Sequence, residues 1–253
     1  MNVDGEEAYI RMNSLDKLRN IDAIIFDCDG VLIDIRESYR RAIPETVAYI
    51  TKELTGFPFP KNLVSRKIIH SFKKSGGFNN DWDLVYAILM FTLCNLPERF
   101  QEALKKYVSS NRYRHDLFRQ FLYVKEGIRK EYTSHGLDTL VIKLEAELKE
   151  FAEMFDVSGV ASIEKRLVNM ENRSCYEYYA SVKRFLSYPG SVSESIVTRI
   201  FEEFFCGPQL FRDVYKRVPR FYHGRGFIED EKVIVLPKTL DQLASIPVSY
   251  THL

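Results

Sequence analysis

The sequence has 253 residues, of which 45% are hydrophobic and 28% are charged. These proportions are typical of a globular protein with a packed core and exclude an intrinsically disordered chain. The 36 Lys and Arg residues balance the 35 Asp and Glu residues, so the net charge of +1 produces no positive field that favours nucleic acid or a membrane surface as a partner.

Cysteine spacing and the N-terminal residues predict a reduced, cytoplasmic protein. The four cysteines form neither a CxxC pair nor a Cys/His set that could hold structural zinc. They are Cys28, Cys94, Cys175 and Cys206. The first residues, MNVDGEEAYIRMN, are acidic and polar, unlike a signal peptide, and the longest apolar run, residues 84–91, is too short to span a bilayer.

Residues 21–27, IDAIIFD, are the first predicted element. The run is apolar and rich in β-branched residues, with polar sequence before it and a glycine after it. This pattern predicts a buried strand.

From about residue 36 to 217 the apolar residues recur at helical spacings and predict a long helical block. Clusters of Gly, Pro and Asn predict the breaks between its helices. The breaks are expected at residues 56–60, 74–80, 95–97, 135–136, 187–190 and 206–208. After Pro219 the chain passes through HGRG to the apolar VIVL at residues 233–236, which predicts a return towards the strand.

Two segments of the block show a clear apolar helix face. The first comprises Leu137, Leu140, Val141, Leu144, Leu148, Phe151 and Phe155, and the second comprises Ile196, Val197, Ile200, Phe201, Phe204 and Phe205. We expect these faces, and most aromatic residues, to pack in the core.

Residues 26–34, FDCDGVLID, carry the chemistry that the sequence suggests. Ligands of open α/β sheets bind where strands end. Asp27 and Asp29 would lie on the same side of an extended backbone, and Gly30 would let backbone amides approach an anion. Two like charges call for a counter-ion, for which Mg²⁺ with oxygen ligands is the natural choice. The pair therefore indicates phosphoryl chemistry.

Other interpretations of the aspartate pair differ in how well they fit. An EF-hand loop is excluded because Val31 and Leu32 occupy its fifth and sixth positions. A DxD pair that binds a metal–nucleotide complex, and a plain turn with two solvated aspartates, both remain open.

FDCDGVLID resembles the first motif of the haloacid dehalogenase superfamily, an apolar strand followed by DxDG. The helical block starts just after it, as in subfamily I, where a helical cap follows the first motif in phosphoglycolate phosphatase-like proteins. The resemblance implies an α/β fold: a Rossmann-like core, represented here by its first strand and a return segment, with a large inserted α-helical cap that makes the chain mostly helical.

The resemblance also implies roles for the two aspartates. Asp27 would be the nucleophile and Asp29 the general acid and base, and both would bind Mg²⁺, Asp27 through its carboxylate and Asp29 through its backbone carbonyl. The expected function is an Mg²⁺-dependent phosphatase that hydrolyses a small phosphorylated metabolite through an aspartyl-phosphate. A sugar-phosphate mutase and a non-catalytic binding or assembly protein that retains the motif are the alternatives.

Residues 74–84, KSGGFNNDWDL, resemble a loop in a subgroup of phosphatase-like proteins of this subfamily. Asn79, Asn80 and Asp81, together with Gly30, are therefore candidate substrate-binding residues. The segment fits equally well a connection between two helices, with Asn80 or Asp81 as N-cap and Trp82 buried.

The sequence departs from the superfamily pattern after the cap. The expected Ser or Thr that binds phosphate, the Lys or Arg and the second acidic pair are not securely found, although Thr251 is a candidate for the first. Residues 236–246 resemble the first core helix after the cap, and the final residues resemble translated adapter sequence. We therefore expect a C-terminally truncated fragment that is inactive by itself.

Four regions are predicted. Residues 1–35 would start the core, residues 36–217 would form the cap, residues 218–247 would return towards the core, and residues 248–253 would be a foreign tail. The enlarged cap is also a candidate surface for a homodimer.

Overall fold

The fold is known from a computed structural model that describes residues 2–3, 6–7, 25–110, 112–113, 115–132, 137–168 and 173–244. The chain divides into two compact units. The terminal unit combines Met1–Asp34 with Lys232–Leu253, and the helical unit is Ile35–Glu231.

The helical unit consists of α-helices joined by short connections. They are α1 (Tyr39–Thr55), α2 (Arg66–Lys74), α3 (Asp81–Cys94), α4 (Glu98–Ser109), α5 (Leu117–Glu131), α6 (Leu137–Glu153), α7 (Ile163–Leu167), α8 (Arg173–Leu186) and α9 (Ile196–Tyr215). Short 3₁₀ helices occur at Lys61–Val64, Gly159–Ser162 and Phe227–Asp230. The expectation of a mostly helical chain is confirmed, whereas the Rossmann-like core stays a prediction.

The predicted breaks between helices are confirmed wherever the structure describes them. Helix α1 ends before Gly56, which adopts a φ of +75°, a conformation that glycine tolerates best. Helices α2 and α3 flank residues 74–80, and α3 and α4 flank residues 95–97. The break at residues 206–208 interrupts α9, because Gly207 has a φ of +69° and Pro208 follows. Residues 135–136 lie outside the described residues.

Helix α3 lies at the centre of the helical unit. Residues 84–93 are all buried, so the helix is enclosed by protein around its whole circumference over this stretch. It packs against α1, α6, α7, α8 and α9. Burial inside a protein therefore explains the long apolar run in the sequence. Within the described residues, no helix is both long and apolar enough to cross a membrane.

The two predicted apolar faces are confirmed as core. On α6 and just beyond it, Leu140 is half-buried and the other six positions are buried, and on α9 all six are buried. The aromatic rings pack on one another: the Phe151 and Phe155 centroids are 4.8 Å apart, and those of Phe72 and Phe78 are 5.0 Å apart. Such pairs add to the stabilisation from buried area.

The described residues of the terminal unit form two short antiparallel ladders. Strands β1 (Asn2–Val3) and β2 (Glu6–Glu7) form one, and β3 (Ile33–Asp34) and β4 (Lys232–Val233) form the other. Helix α10 (Pro237–Ala244) follows β4, within the segment 236–246 that resembles the first core helix after the cap. Strand β4 pairs with the residues directly before the helical unit, whereas residues 218–231 belong to the helical unit itself. The predicted division into four regions, with a return towards the core at residues 218–247, stays a prediction.

The predicted buried strand at residues 21–27 is wrong where the structure describes it. Residues 25–27 have no regular structure, and Ile25 is 96% exposed. A strand is stable only when its backbone pairs with a neighbour, and residues 25–27 pair with no described residue. Residues 21–24 lie outside the described residues.

In the connection between α2 and α3, Gly77 lies so close to another backbone segment that a side chain would not fit. A Cβ atom on Gly77 would lie 2.5 Å from the carbonyl oxygen of Asp156 and 2.5 Å from the amide nitrogen of Gly159. Both neighbours are backbone atoms, which cannot move aside as a flexible side chain can.

We predict that Gly77→Ala lowers the free energy of unfolding by about 1–3 kcal/mol, because the added methyl group forces two backbone segments apart. Urea denaturation followed by circular dichroism would measure the change. Asn79→Ala is the control, since Asn79 is exposed two positions along the same connection and should change stability by less than about 0.5 kcal/mol. Equal stability of Gly77→Ala and the wild type would contradict the contact.

Candidate functional site

Residues 26–34, FDCDGVLID, are called the aspartate motif below. They form a tight turn rather than the end of a strand. The carbonyl oxygen of Cys28 accepts hydrogen bonds from the amides of Leu32, at 2.9 Å, and Ile33, at 3.0 Å. Gly30 has a φ of +77°, which L-residues with a side chain rarely adopt, and a Cβ there would meet no atom within 4 Å. Glycine is therefore required by the backbone conformation and not by crowding.

The turn uses amides that were expected to face an anion. Gly30 donates its N–H to the carbonyl oxygen of Ile33 at 2.8 Å, and Cys28 donates its N–H to Oδ1 of Asp27 at 2.8 Å. These hydrogen bonds hold the turn together, and phosphate binding by these groups would require the turn to open. The assignment of Gly30 as a substrate-binding residue stays a prediction.

Asp27 and Asp29 are both exposed. Mg²⁺ in proteins is commonly held by one or two carboxylates, while water and substrate phosphate fill its other positions. The two aspartates fit that pattern in ligand type and number. Within the described residues, no three His, Cys, Asp or Glu side chains converge to form a larger metal site.

The segment containing Asn79, Asn80 and Asp81 serves as a connection between helices. Asn80 is the N-cap of α3, and its Oδ1 accepts the N–H of Trp82 at 2.9 Å. Asp81 lies 2.8 Å from the ammonium nitrogen of Lys73 on the preceding helix, measured from Oδ1. Asn79 is exposed. These contacts support the interpretation as a helix connection, and substrate binding by the three residues stays a prediction.

A buried polar cluster on α9 was not identified from the sequence. Glu202 is 5% exposed, and its carboxylate accepts hydrogen bonds from Nε1 of Trp82 at 2.9 Å and from the hydroxyl of Tyr215 at 2.8 Å. The Cys206 thiol lies 3.5 Å from the same carboxylate. The only signal in the sequence was a pair of glutamates within the apolar run IFEEFF.

Burial controls the ionisation of this cluster. It raises the pKa of Glu202, although hydrogen bonds from Tyr215, Cys206 and Trp82 act in the opposite direction. It also raises the pKa of the Cys206 thiol to about 12, with Glu202 adding to the effect. Cys206 is therefore a protonated, unreactive thiol at neutral pH.

We predict that Glu202 makes stability fall as pH rises. Its raised pKa means that the folded protein binds the proton more tightly than the unfolded chain. The resulting stabilisation is complete below the ordinary glutamate pKa of 4.5 and is lost as pH rises through the raised value. Urea titrations over this range should therefore show the stability of the wild type falling relative to that of Glu202→Gln.

Tyr215→Phe provides a second variant for this prediction. It removes a hydrogen bond that lowers the pKa of Glu202, so the fall in stability should move to higher pH. A difference between wild type and Glu202→Gln that stays constant across the range would contradict the prediction.

No family model, curated protein or solved structure matches this chain. The resemblance to the haloacid dehalogenase superfamily therefore rests on residues 26–34 and on the position of the helical unit after them. The function that the resemblance implies is accordingly a proposal.

Proposed function

We propose that the protein is an Mg²⁺-dependent phosphatase that hydrolyses a small phosphorylated metabolite, in the manner of subfamily I of the haloacid dehalogenase superfamily. The observation that carries the proposal is the segment FDCDGVLID, with two exposed carboxylates on either side of Cys28 and a glycine that has a positive φ. Exposure matters because a nucleophile and a proton donor must both reach the substrate.

Asp27 is assigned as the nucleophile. One carboxylate oxygen attacks phosphorus, the bond to the ester oxygen breaks, and an aspartyl-phosphate forms. Asp29 is assigned as the general acid that protonates the leaving oxygen. It then accepts a proton from the water that hydrolyses the intermediate and so returns to its starting state. The Asp27 carboxylate and the backbone carbonyl of Asp29 would hold Mg²⁺, which would supply positive charge to neutralise that of the phosphate.

The connectivity of the chain supports assigning the helical unit as a cap. The chain leaves the terminal unit after Asp34 and re-enters it at Lys232. These two points are paired, with Asp34 opposite Lys232 and Ile33 opposite Val233 in an antiparallel ladder. A helical unit that starts and ends at adjacent points is an insertion, which is the arrangement that the resemblance implies. Such caps select the substrate and exclude water.

One observation favours the alternative of a non-catalytic binding or assembly protein. The amide of Gly30 and those of residues 31–33 are bonded within the turn. A turn whose amides are occupied needs no phosphate to stabilise it. Measurement of phosphate release separates the two functions.

We predict that Asp27→Asn lowers phosphate release at least about a thousandfold, because the amide cannot act as the nucleophile. The assay uses protein from the complete open reading frame, p-nitrophenyl phosphate and Mg²⁺. Asp213→Asn is the matched control, since Asp213 is exposed on α9 and contacts Gln209. Absence of metal-dependent phosphate release by the wild type would reject the phosphatase and favour the binding protein.

The role of Asp29 is tested by changing the leaving group. We predict that Asp29→Asn slows hydrolysis of an alkyl phosphate by about 10²–10⁴-fold, because the alkoxide must be protonated as it leaves. Hydrolysis of p-nitrophenyl phosphate should slow less, since nitrophenolate leaves without a proton. Equal effects on both substrates in single-turnover measurements would contradict the general-acid assignment.

A further inference from the structure

A cavity of about 420 Å³ lies in the helical unit, between the start of α5 and the loop that follows α9. Its volume falls within the range of small-molecule sites in proteins. Lys216, Arg217 and Arg220 line one side, and Leu117 and Phe118 line another. None of these residues belongs to the aspartate motif.

The three cations give the cavity a positive charge. Within the described part of the chain, Lys216, Arg217 and Arg220 form no ion pair. Arg199 also lines the cavity but is paired with Glu203, at 2.5 Å between Nε and Oε1. Three like charges around one cavity repel each other, and a bound anion relieves that repulsion.

Asp116, the one carboxylate among the described residues that line the cavity, is already engaged in a cap. Asp116 is the N-cap of α5, and its Oδ1 accepts the N–H of Arg119 at 3.0 Å, while its Oδ2 lies 3.5 Å from Nε of Arg119. The N-terminus of this 15-residue helix therefore faces the same cavity. Because the Asp116 carboxylate already complements the first amides and the dipole of this helix, the positive potential of the cavity comes from the three cationic side chains.

Residues 216–222, here called the cationic loop because they include Lys216, Arg217 and Arg220, are held by hydrogen bonds before any ligand binds. Oε2 of the buried Glu203 accepts the N–H groups of Arg220, Phe221 and Tyr222 at 2.8, 2.6 and 3.0 Å. Arg199 donates a hydrogen bond to the carbonyl oxygen of Val218 in the same loop. A rigid loop loses little entropy on binding, which favours affinity.

The remaining wall of the cavity is apolar and aromatic. The rings of Phe118 and Phe221 meet edge to face at 5.3 Å between centroids, and the guanidinium of Arg220 lies 5.5 Å from the Phe118 ring. Leu117 and Val192 also line the cavity. The site therefore suits a ligand that carries an apolar group beside its charge.

We propose that this cavity is a binding site for a small organic dianion, in which a phosphate-like group contacts Lys216, Arg217 and Arg220 and an apolar group packs on Phe118 and Phe221. The proposal concerns the helical unit alone and does not rest on the proposed phosphatase activity.

Isothermal titration calorimetry with phenylphosphonate, which has a phosphorus–carbon bond that a phosphatase does not hydrolyse, tests the proposal. The full chain is titrated with EDTA present, so that a metal site at the aspartate motif is not measured. We expect saturable binding that is tighter for phenylphosphonate than for inorganic phosphate. Arg217→Gln and Arg220→Gln should each weaken it at least about tenfold, through loss of a charge-assisted hydrogen bond.

Arg212→Gln is the matched control, because Arg212 is exposed on α9 one turn before Lys216 and does not line the cavity. It should leave the affinity unchanged, as should Asp27→Asn. The proposal is overturned if phenylphosphonate does not bind, if it binds no better than phosphate, or if Arg212→Gln weakens binding as much as Arg217→Gln does. If Asp27→Asn were the only variant to lose binding, the result would overturn the proposal and show that phenylphosphonate binds at the aspartate motif.

Discussion

The helical unit depends on the buried carboxylate of Glu203, which is 0% exposed. Charge in a protein interior is strongly unfavourable unless it is neutralised and fully hydrogen-bonded. The Arg199 guanidinium and three successive backbone amides, those of Arg220, Phe221 and Tyr222, provide these partners. Because α9 packs with Glu203 facing the interior, the chain beyond α9 must turn back so that its amides reach the carboxylate. One side chain thus links the core helix to the cationic loop.

Two backbone contacts constrain the same unit further. Gly77 meets Gly159, and Gly207 meets Gly226, where a Cβ on Gly207 would lie 2.5 Å from the amide nitrogen of Gly226. The glycine-rich breaks that separate helices are therefore also points at which distant segments pack. The Gly207–Gly226 contact brings the HGRG segment against the interruption in α9, close in sequence to Glu203. The path of the chain after α9 is therefore fixed both by this backbone packing and by the hydrogen bonds to Glu203.

The chemistry that we propose is distributed between the two units. The exposed carboxylates of Asp27 and Asp29 belong to the terminal unit, whereas the cationic cavity with Lys216, Arg217 and Arg220 belongs to the helical unit. Substitutions that change a cavity in an inserted helical unit can leave Asp27 and Asp29 unaltered. The proposed phosphatase activity and the proposed anion site are therefore separable by mutation.

Local signals in the sequence predicted several of the helix ends, because the residues at 56–60, 74–80 and 95–97 terminate helices through their own backbone preferences. The breaks between α4 and α5 and between α6 and α7 were not predicted. Helical periodicity likewise identified the apolar faces of α6 and α9. The strand at residues 21–27 was predicted wrongly for residues 25–27, since apolar composition cannot supply the neighbouring strand that pairs with it. Only the tertiary structure showed that Glu202 and Glu203 are buried and that Lys216, Arg217 and Arg220 line one cavity with α5, because these features join residues far apart in the chain.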